Sequence, residues 1–397
     1  MTGSVLFYVQ HLLGIGHLRR ALLLTDAMTH AGLAVTLVTG GEPLPELAAV
    51  PTRRVVQLAP IRAKDASFKT LVGVDGQPPD DALWSARRRM LLAAFAEARP
   101  DVVVIEAYPF GRRPFRGELE PLVAVARARN PRALVVCSLR DIVVAPPHER
   151  REHEIVERVR ADFDAVLVHG DPRLISLEAS FPLASEIADR LVYTGYVAAP
   201  EIPLAGGCNA GAGEVLVSAG GGAVGGALMR AALAARRRGC LADAGWRLLA
   251  GPNLAADEFS ELTAELPDGV TVERYRDDFP QLLRRCRVSV SQAGYNTVLD
   301  VITAGVPAVL VPFAELRETE QTLRAERLAA SGVVEVLPAS QLAPDRLGDA
   351  IERAARRRPA ALRIDTTGAP RSALTIAAMI SDRTNPNISQ KILHAGE

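Results

Sequence analysis

Short β-branched runs alternate with helix-patterned segments along nearly the whole of this 397-residue chain, and no other feature narrows its possible folds as much. A strand followed by a helix must cross over before the chain can pair with it again, which favours parallel sheets built from βαβ units. In the first half the runs fall at 5–9, 35–38, 55–58, 102–106, 134–138, 166–169 and 192–194. In the second half they fall at 215–218, 247–250, 270–273, 288–291, 308–312 and 334–337. The pattern predicts an α/β protein of two Rossmann-like, doubly wound parallel-sheet domains, one over 1–198 and one over 214–380. Residues 199–213, dense in Pro, Gly, Ala and Asn and without apolar period, read as the linker. Two such domains facing across a linker create a cleft, a preferred place for ligands. The polar stretch 381–397 lacks a core-forming pattern and is expected to fray or to pack back on the first domain.

Charge is balanced, with 46 basic and 46 acidic residues, so nothing suggests a surface whose affinity rests on nucleic-acid phosphates. The four cysteines, Cys137, Cys208, Cys240 and Cys286, are widely separated, which indicates neither a zinc knuckle nor a disulfide framework. The start of the chain runs directly into an apolar strand, and no segment approaches the length of a membrane span. A cytoplasmic protein is the expectation.

In open α/β sheets ligands bind outside the carboxyl ends of the strands, so the site's chemistry is expected there. The first strand ends in QHLLGIGHLRR, where Gly14 and Gly16 permit a tight turn and His17 opens a helix. An imidazole there can take a proton from a hydroxyl near neutral pH, or it can simply bond the helix-start backbone. EAYPFGRRPF places Glu106 at another strand end, with Arg112 and Arg113 in the following loop; CSLRDIV places Arg140 and Asp141 at the next. Glu106 or Asp141 can orient His17 or act as the base itself. The three arginines can hold an anionic acceptor or a leaving diphosphate, or close the loops as structural ion pairs.

The second half opens with EVLVS and AGGGAVGG, in which Gly220, Gly222 and Gly225 satisfy G-x-G-x-x-G. The following strand ends in Ala250, Gly251 and Pro252 rather than an acid, which weakens a nicotinamide site, and no Lys follows the glycines as in a triphosphate loop. What remains is a turn at Gly220, Gly221 and Gly222 whose amides can hold a diphosphate. Residues 288–324 supply further candidates at two successive strand ends. Gly294 allows a turn, Asn296 and Thr297 start a helix, and Asp300 one turn along can accept from a ribose diol or complement the helix dipole. Glu320 and Gln321, near Glu315 and Glu318, can read sugar hydroxyls or form a solvated helix start. The D-x-D at 162–164 precedes a strand, the wrong edge of the sheet for a metal site. Residues 84–95, WSARRRMLLAAF, form a basic amphipathic helix that can dock on an anionic bilayer or pack as an ordinary surface helix.

Together GIGHLRR, AGGGAVGG, VERYRDDF and SQAGYNTVLDVITAGVPAVLVPF followed by EQTLRA resemble the GT-B glycosyltransferases of family 28, which include the N-acetylglucosaminyltransferase of peptidoglycan synthesis. The resemblance covers both domains and is more specific in the second. It implies a nucleotide-sugar donor, usually a UDP-sugar, on the second domain and a hydroxyl acceptor, small or lipid-linked, on the first. It places Arg276 and Phe279 beside the base, Gly220, Gly221, Gly222 and Thr297 near the diphosphate, Asp300 at the ribose, and Glu320 and Gln321 at the sugar. Gly16 and His17 match the acceptor-side glycine loop. Three positions depart from the family: Asp300 stands where Glu is usual, Arg276 where an apolar residue is common, and GIGH replaces a longer glycine run. PFGRR and SLRD are shared with a subgroup.

The resulting expectation is an inverting, metal-independent glycosyltransferase without a cofactor, cytoplasmic or peripheral at the inner membrane face. Which of His17, Glu106 and Asp141 is the base stays open, as does the nucleotide. A nucleotide-sugar hydrolase or 2-epimerase, or a non-catalytic nucleotide-sugar sensor, would use the same framework.

Overall fold

A computed structural model of the chain describes residues 3–44, 47, 51–65, 70–129, 131–144, 148–199, 210–220, 225–313, 320–357, 362 and 364–384. It divides into two compact units, one of Met1–Ala198 with Ile364–Glu397 and one of Ala199–Arg363.

The first unit is built on β1 (Ser4–Val9), β2 (Ala34–Thr39), β3 (Arg54–Gln57), β6 (Val102–Glu106), β7 (Leu134–Arg140), β8 (Ala165–His169) and β9 (Leu191–Tyr193), with β4 (Arg62–Ala63) and β5 (Leu71–Val72) forming a separate small antiparallel pair. The seven long strands run parallel in the order β3-β2-β1-β6-β7-β8-β9. Its helices are α1 (Gly16–His30), α2 (Asp81–Ala98), α3 (Arg116–Ala128) and α4 (Glu149–Asp162). Helices on both faces explain why β6 is buried throughout and carries no polar alternation until Glu106.

The second unit repeats the plan. Its strands β10 (Val215–Ser218), β11 (Trp246–Leu249), β12 (Val270–Glu273), β13 (Val288–Ser291), β14 (Ala308–Leu310) and β15 (Glu335–Val336) lie in the order β12-β11-β10-β13-β14-β15. Helices α5 (Gly226–Arg237), α6 (Ala256–Ala264), α7 (Phe279–Arg285), α8 (Tyr295–Ala304), α9 (Glu320–Ala330) and α10 (Pro344–Arg356) complete it. Every strand expected from the sequence is present, within a few residues at the ends. The pair β4 and β5 was not anticipated, because two-residue strands carry no readable period.

In both sheets the order reverses beside the first strand, between β1 and β6 and between β10 and β13. Strand ends part at such a switch point and leave room for a ligand.

One boundary differs from expectation. The last helix, α11 (Gly368–Thr384), packs on α1 in the first unit rather than closing the second, so the chain returns from residue 364 and not from 381. Ala369, Ala373 and Ile376 are buried in the core that Leu18, Leu24 and Met28 line. Their spacing makes one apolar helix face, which could have satisfied either domain.

The helix at 84–95 packs against the core of the first unit. Leu91, Ala94 and Phe95 face the core and Trp84 meets Phe115 edge-on, with ring centroids 5.5 Å apart. Arg87 is fully buried and paired with Glu118. The apolar face is consumed by the fold, leaving Arg88, Arg89 and Met90 exposed. No helix among the described residues is long and apolar enough to cross a membrane.

Candidate active site

The first switch point brings His17 and Glu106 together. Glu106 ends β6 and is fully buried; His17 lies in the first turn of α1, with 21% of its side chain exposed. His17 Nδ1 is 2.9 Å from Glu106 Oε1. An ionised carboxylate can only accept, so Nδ1 carries the proton and donates it, leaving Nε2 as the basic nitrogen. Arg20, one turn along α1, donates to the same Oε1, and its Nη2 lies 3.2 Å from His17 Nδ1. Two donors cannot bond each other, so this last contact is an approach and not a hydrogen bond.

The other carboxylate oxygen is served from deeper in the sheet. Ser138, register partner of Glu106 on β7, donates its hydroxyl to Oε2. Behind it, His169 Nε2 lies 3.0 Å from Ser138 Oγ, and His169 Nδ1 lies 2.9 Å from Thr194 Oγ1. Because the Ser138 hydrogen is committed to Glu106, His169 donates from Nε2 and accepts at Nδ1. Polar side chains near the ends of β6, β7 and β8 and just past β9 thus converge on one carboxylate.

This environment sets the charge states. Burial alone would raise the Glu106 carboxyl, but Arg20, His17 and Ser138 hold it well below the usual carboxylate range. Burial and then the Arg112 guanidinium push the His17 imidazole down to about 3, against the opposing bond to Glu106. Burial does the same to His169, also to about 3. Near neutral pH the group is a neutral imidazole beside a carboxylate, the arrangement of an oriented general base.

Asp141 is not part of this pair. It is fully buried, accepts the Ile142 N–H at 2.9 Å and the Tyr196 hydroxyl at 3.3 Å, and backs onto Gly170, where a Cβ would fall 2.8 Å from its own. It lies just past the end of β7, which closes at Arg140, and sequence position alone could not separate it from Glu106. Arg112 donates from Nε to Gln10 O at 2.8 Å, and burial lowers its guanidinium to about 10. Arg140 is half-buried and Arg113 exposed.

Arg20, Ser138, His169 and Thr194 escaped sequence reading. Their signal is faint: Arg20 stands three residues after His17, hence on the same helix face, and the others are polar residues near consecutive strand ends.

At the second switch point Gly220 follows β10 with φ +66°, a conformation that favours glycine. Its N–H donates to Ser218 Oγ at 3.2 Å, and a Cβ there would lie 3.6 Å from Thr297 Oγ1. Gly220 and Thr297 therefore face each other across the gap between β10 and β13. Gly221 and Gly222 lie outside the described residues. Gly225 has a packing reason to be glycine, since a Cβ would meet Ala219 Cβ at 2.1 Å. Among the described residues, neither α5, begun from Gly225, nor α8, begun from Gly294, has a side-chain cap at its N-terminus. Gly16 opens α1 in the same uncapped way. Asn296, Thr297 and Asp300 are half-buried on the first turns of α8.

Glu320 and Gln321 differ from the sugar-reading expectation. Gln321 Oε1 accepts the N–H of Ala293 at 3.0 Å and of Phe313 at 3.1 Å, tying together the loops after β13 and β14. Glu320 is buried and accepts from Arg324 Nη2 at 2.8 Å, while Arg324 Nη1 donates to Ala293 O at 3.0 Å. Both side chains brace the loop that carries Gly294. Arg276 is likewise engaged: its fork donates twice to Asp278, each at 2.7 Å, and reaches Glu273 at 3.3 Å, which raises its basicity further. Phe279 begins α7, half-buried. In the D-x-D segment Asp164 accepts from Arg127, Arg132 and the Val135 N–H, a structural use of the carboxylate.

Two Rossmann-like sheets of order 3-2-1-4-5-6, the first extended by a seventh strand, each with polar residues at its switch point, are the fold of the GT-B glycosyltransferases. Solved structures agree: a kitacinnamycin glycotransferase (TM-score 0.65, 18% identity, covering 96% of this chain and 100% of that one) and the MurG of Acinetobacter baumannii (TM-score 0.57, 15%, 96% and 99%) share it. Residues 216–373 match the glycosyltransferase family 28 C-terminal domain. The UDP-N-acetylglucosamine–N-acetylmuramyl-(pentapeptide) pyrophosphoryl-undecaprenol N-acetylglucosamine transferase of Rhizobium etli is 31% identical over 88 residues, and that of Chromobacterium violaceum 36% over 95. Those matches cover 22% and 24% of this chain and 24% and 26% of the relatives, about a quarter of their length.

Proposed function

We propose that the protein transfers a sugar from a nucleotide-diphosphate sugar, with UDP as the preferred nucleotide, to an acceptor hydroxyl, inverting the anomeric centre without a metal ion. The observation that carries this reading is the His17–Glu106 pair, a neutral imidazole whose Nδ1–H is held by a buried carboxylate at a strand-end switch point. His17 Nε2 accepts the acceptor's proton as its oxygen attacks, and Glu106 stabilises the imidazolium that forms. The donor lies on the second unit, its diphosphate against Gly220, Thr297 and the uncapped starts of α5 and α8. Amides and helix dipoles there take up the charge of the leaving diphosphate, a task that needs no cation. Asp300 is the ribose ligand. Glu320 and Gln321 act through the loops they brace.

The relatives' names carry a UDP-sugar and a pyrophosphoryl acceptor, which supports the same classes here. The cationic character of Arg112 and Arg140 in the first unit fits an anionic acceptor of that kind.

A thermal-shift panel of UDP-, dTDP-, GDP- and ADP-sugars tests the donor, since a ligand that binds the folded state raises its melting temperature. Stabilisation by UDP-sugars, lost in Thr297→Val and Asp300→Ala, is expected; no stabilisation by any member of the panel overturns the proposal. Free sugar released from donor alone at enzyme-like rates would favour hydrolysis over transfer.

A further inference from the structure

Glu106 accepts from three side chains. Its Oε1 is shared by His17 Nδ1 and Arg20, and its Oε2 is taken by Ser138, itself backed by His169. Sharing Oε1 has a chemical consequence that a two-residue pair would lack. A carboxylate that faces an imidazole alone favours the imidazolium strongly; one already neutralised by a guanidinium does so much less.

We propose that Arg20 is a positioning residue that acts through Glu106: it keeps the carboxylate ionised and fixed, and so holds His17 as a neutral ring with its proton on Nδ1. The inference rests on the reading of His17 as the base. Arg20 is itself buried and paired with this carboxylate, and breaking a buried pair from either side is costly. The charged groups that face His17 are Arg20 on its own helix, Glu106 at the end of β6 and Arg112 in the loop beyond it. Arg112 disfavours the imidazolium directly. Arg20 does so directly and also by sharing the carboxylate that would favour it.

The test is nitrogen-15 NMR of the histidine-labelled full chain, which reads the tautomer and the titration of each ring without any turnover assay. His17 resonances are assigned from a His17→Gln spectrum. In the wild type His17 should show the Nδ1–H tautomer and remain unprotonated down to pH 5. In Arg20→Met its titration midpoint should rise by at least ~1 pH unit, because Oε1 then serves the imidazole alone. In a Glu106→Gln background Arg20→Met should raise the midpoint by less, since only the direct repulsion between Arg20 and the imidazolium is then removed. Arg20→Lys, which keeps the charge, should stay near the wild type and preserves the test should Arg20→Met not fold. An unchanged midpoint in Arg20→Met, or an equal rise in the Glu106→Gln background, overturns the proposal. Because the readout is a titration, failure to transfer any sugar would sink the functional reading without altering this result.

Discussion

Replacing Glu118 with alanine would strand Arg87, a guanidinium with no exposed side-chain surface, inside the first unit. Arg87 donates from Nε to Glu118 Oε2 at 2.9 Å and from Nη2 to Glu118 Oε1 at 2.7 Å. It also donates to Gln10 Oε1 at 2.8 Å, to Gly40 O at 3.0 Å and to Ala59 O. Glu118 further accepts the Tyr8 hydroxyl at 2.6 Å. Losing the carboxylate removes two of these bonds and the only countercharge among them, and breaking a buried pair from one side costs about 3–5 kcal/mol. With a urea dependence of roughly 2–3 kcal/mol per molar, the midpoint should fall by about 1–2 M. The chain offers a clean reporter. Of its two tryptophans, Trp84 packs on Phe115 in the first unit and Trp246 is buried in the second, so a Trp246→Phe background leaves fluorescence that follows the first unit alone. The double variant Arg87→Met/Glu118→Leu should cost less than the sum of its singles by ~2 kcal/mol or more, because neither charge is then left unpaired. A loss below ~1 kcal/mol in Glu118→Ala, or additive singles, would refute the claim that this pair carries a buried countercharge. The pair matters to the site as well as to stability. Gln10, which it holds, donates from Nε2 to His11 O and Ile61 O and so sets the path of the strand end that leads to His17.

Three further outcomes are expected. His17→Ala should leave donor binding near the wild-type level in calorimetry while turnover falls by ~10²–10⁴-fold; near-normal turnover removes His17 from the mechanism. His17 and His169 titrate near about 3 when folded but near 6.5 when unfolded, so the unfolded chain binds protons first as the pH falls. Stability should therefore decline from pH 6.5 toward pH 3, each ring contributing up to ~1.4 kcal/mol per pH unit, and His169→Gln should flatten the decline seen in urea titrations at pH 4 to 7. Gly220→Ala forces a side chain into φ +66° close to Thr297, and should lower the melting temperature of the second unit while weakening donor binding; unchanged binding would separate this turn from the diphosphate.

The sequence by itself determined the architecture, because strand period and helix period are local properties that survive without any knowledge of neighbours. It also placed His17 and Glu106 at strand ends, where parallel-sheet topology gathers ligands. Which carboxylate meets the imidazole was a different kind of question. Glu106 ends β6 and Asp141 follows the end of the adjacent β7, so they look alike in sequence, and only their partners in the fold, His17 for one and Tyr196 for the other, separate them. The same limit explains α11, whose Ala369, Ala373 and Ile376 stripe could cover either core, and Trp84–Phe95, whose apolar face could have met lipid as well as protein. It explains Glu320 and Gln321 too, acidic and amide groups that read as ligand contacts until their bonds to Arg324, Ala293 and Phe313 are seen. An amphipathic stripe or a polar side chain announces that it needs a partner. Its identity depends on residues tens or hundreds of positions away, and those only the tertiary structure brings within reach.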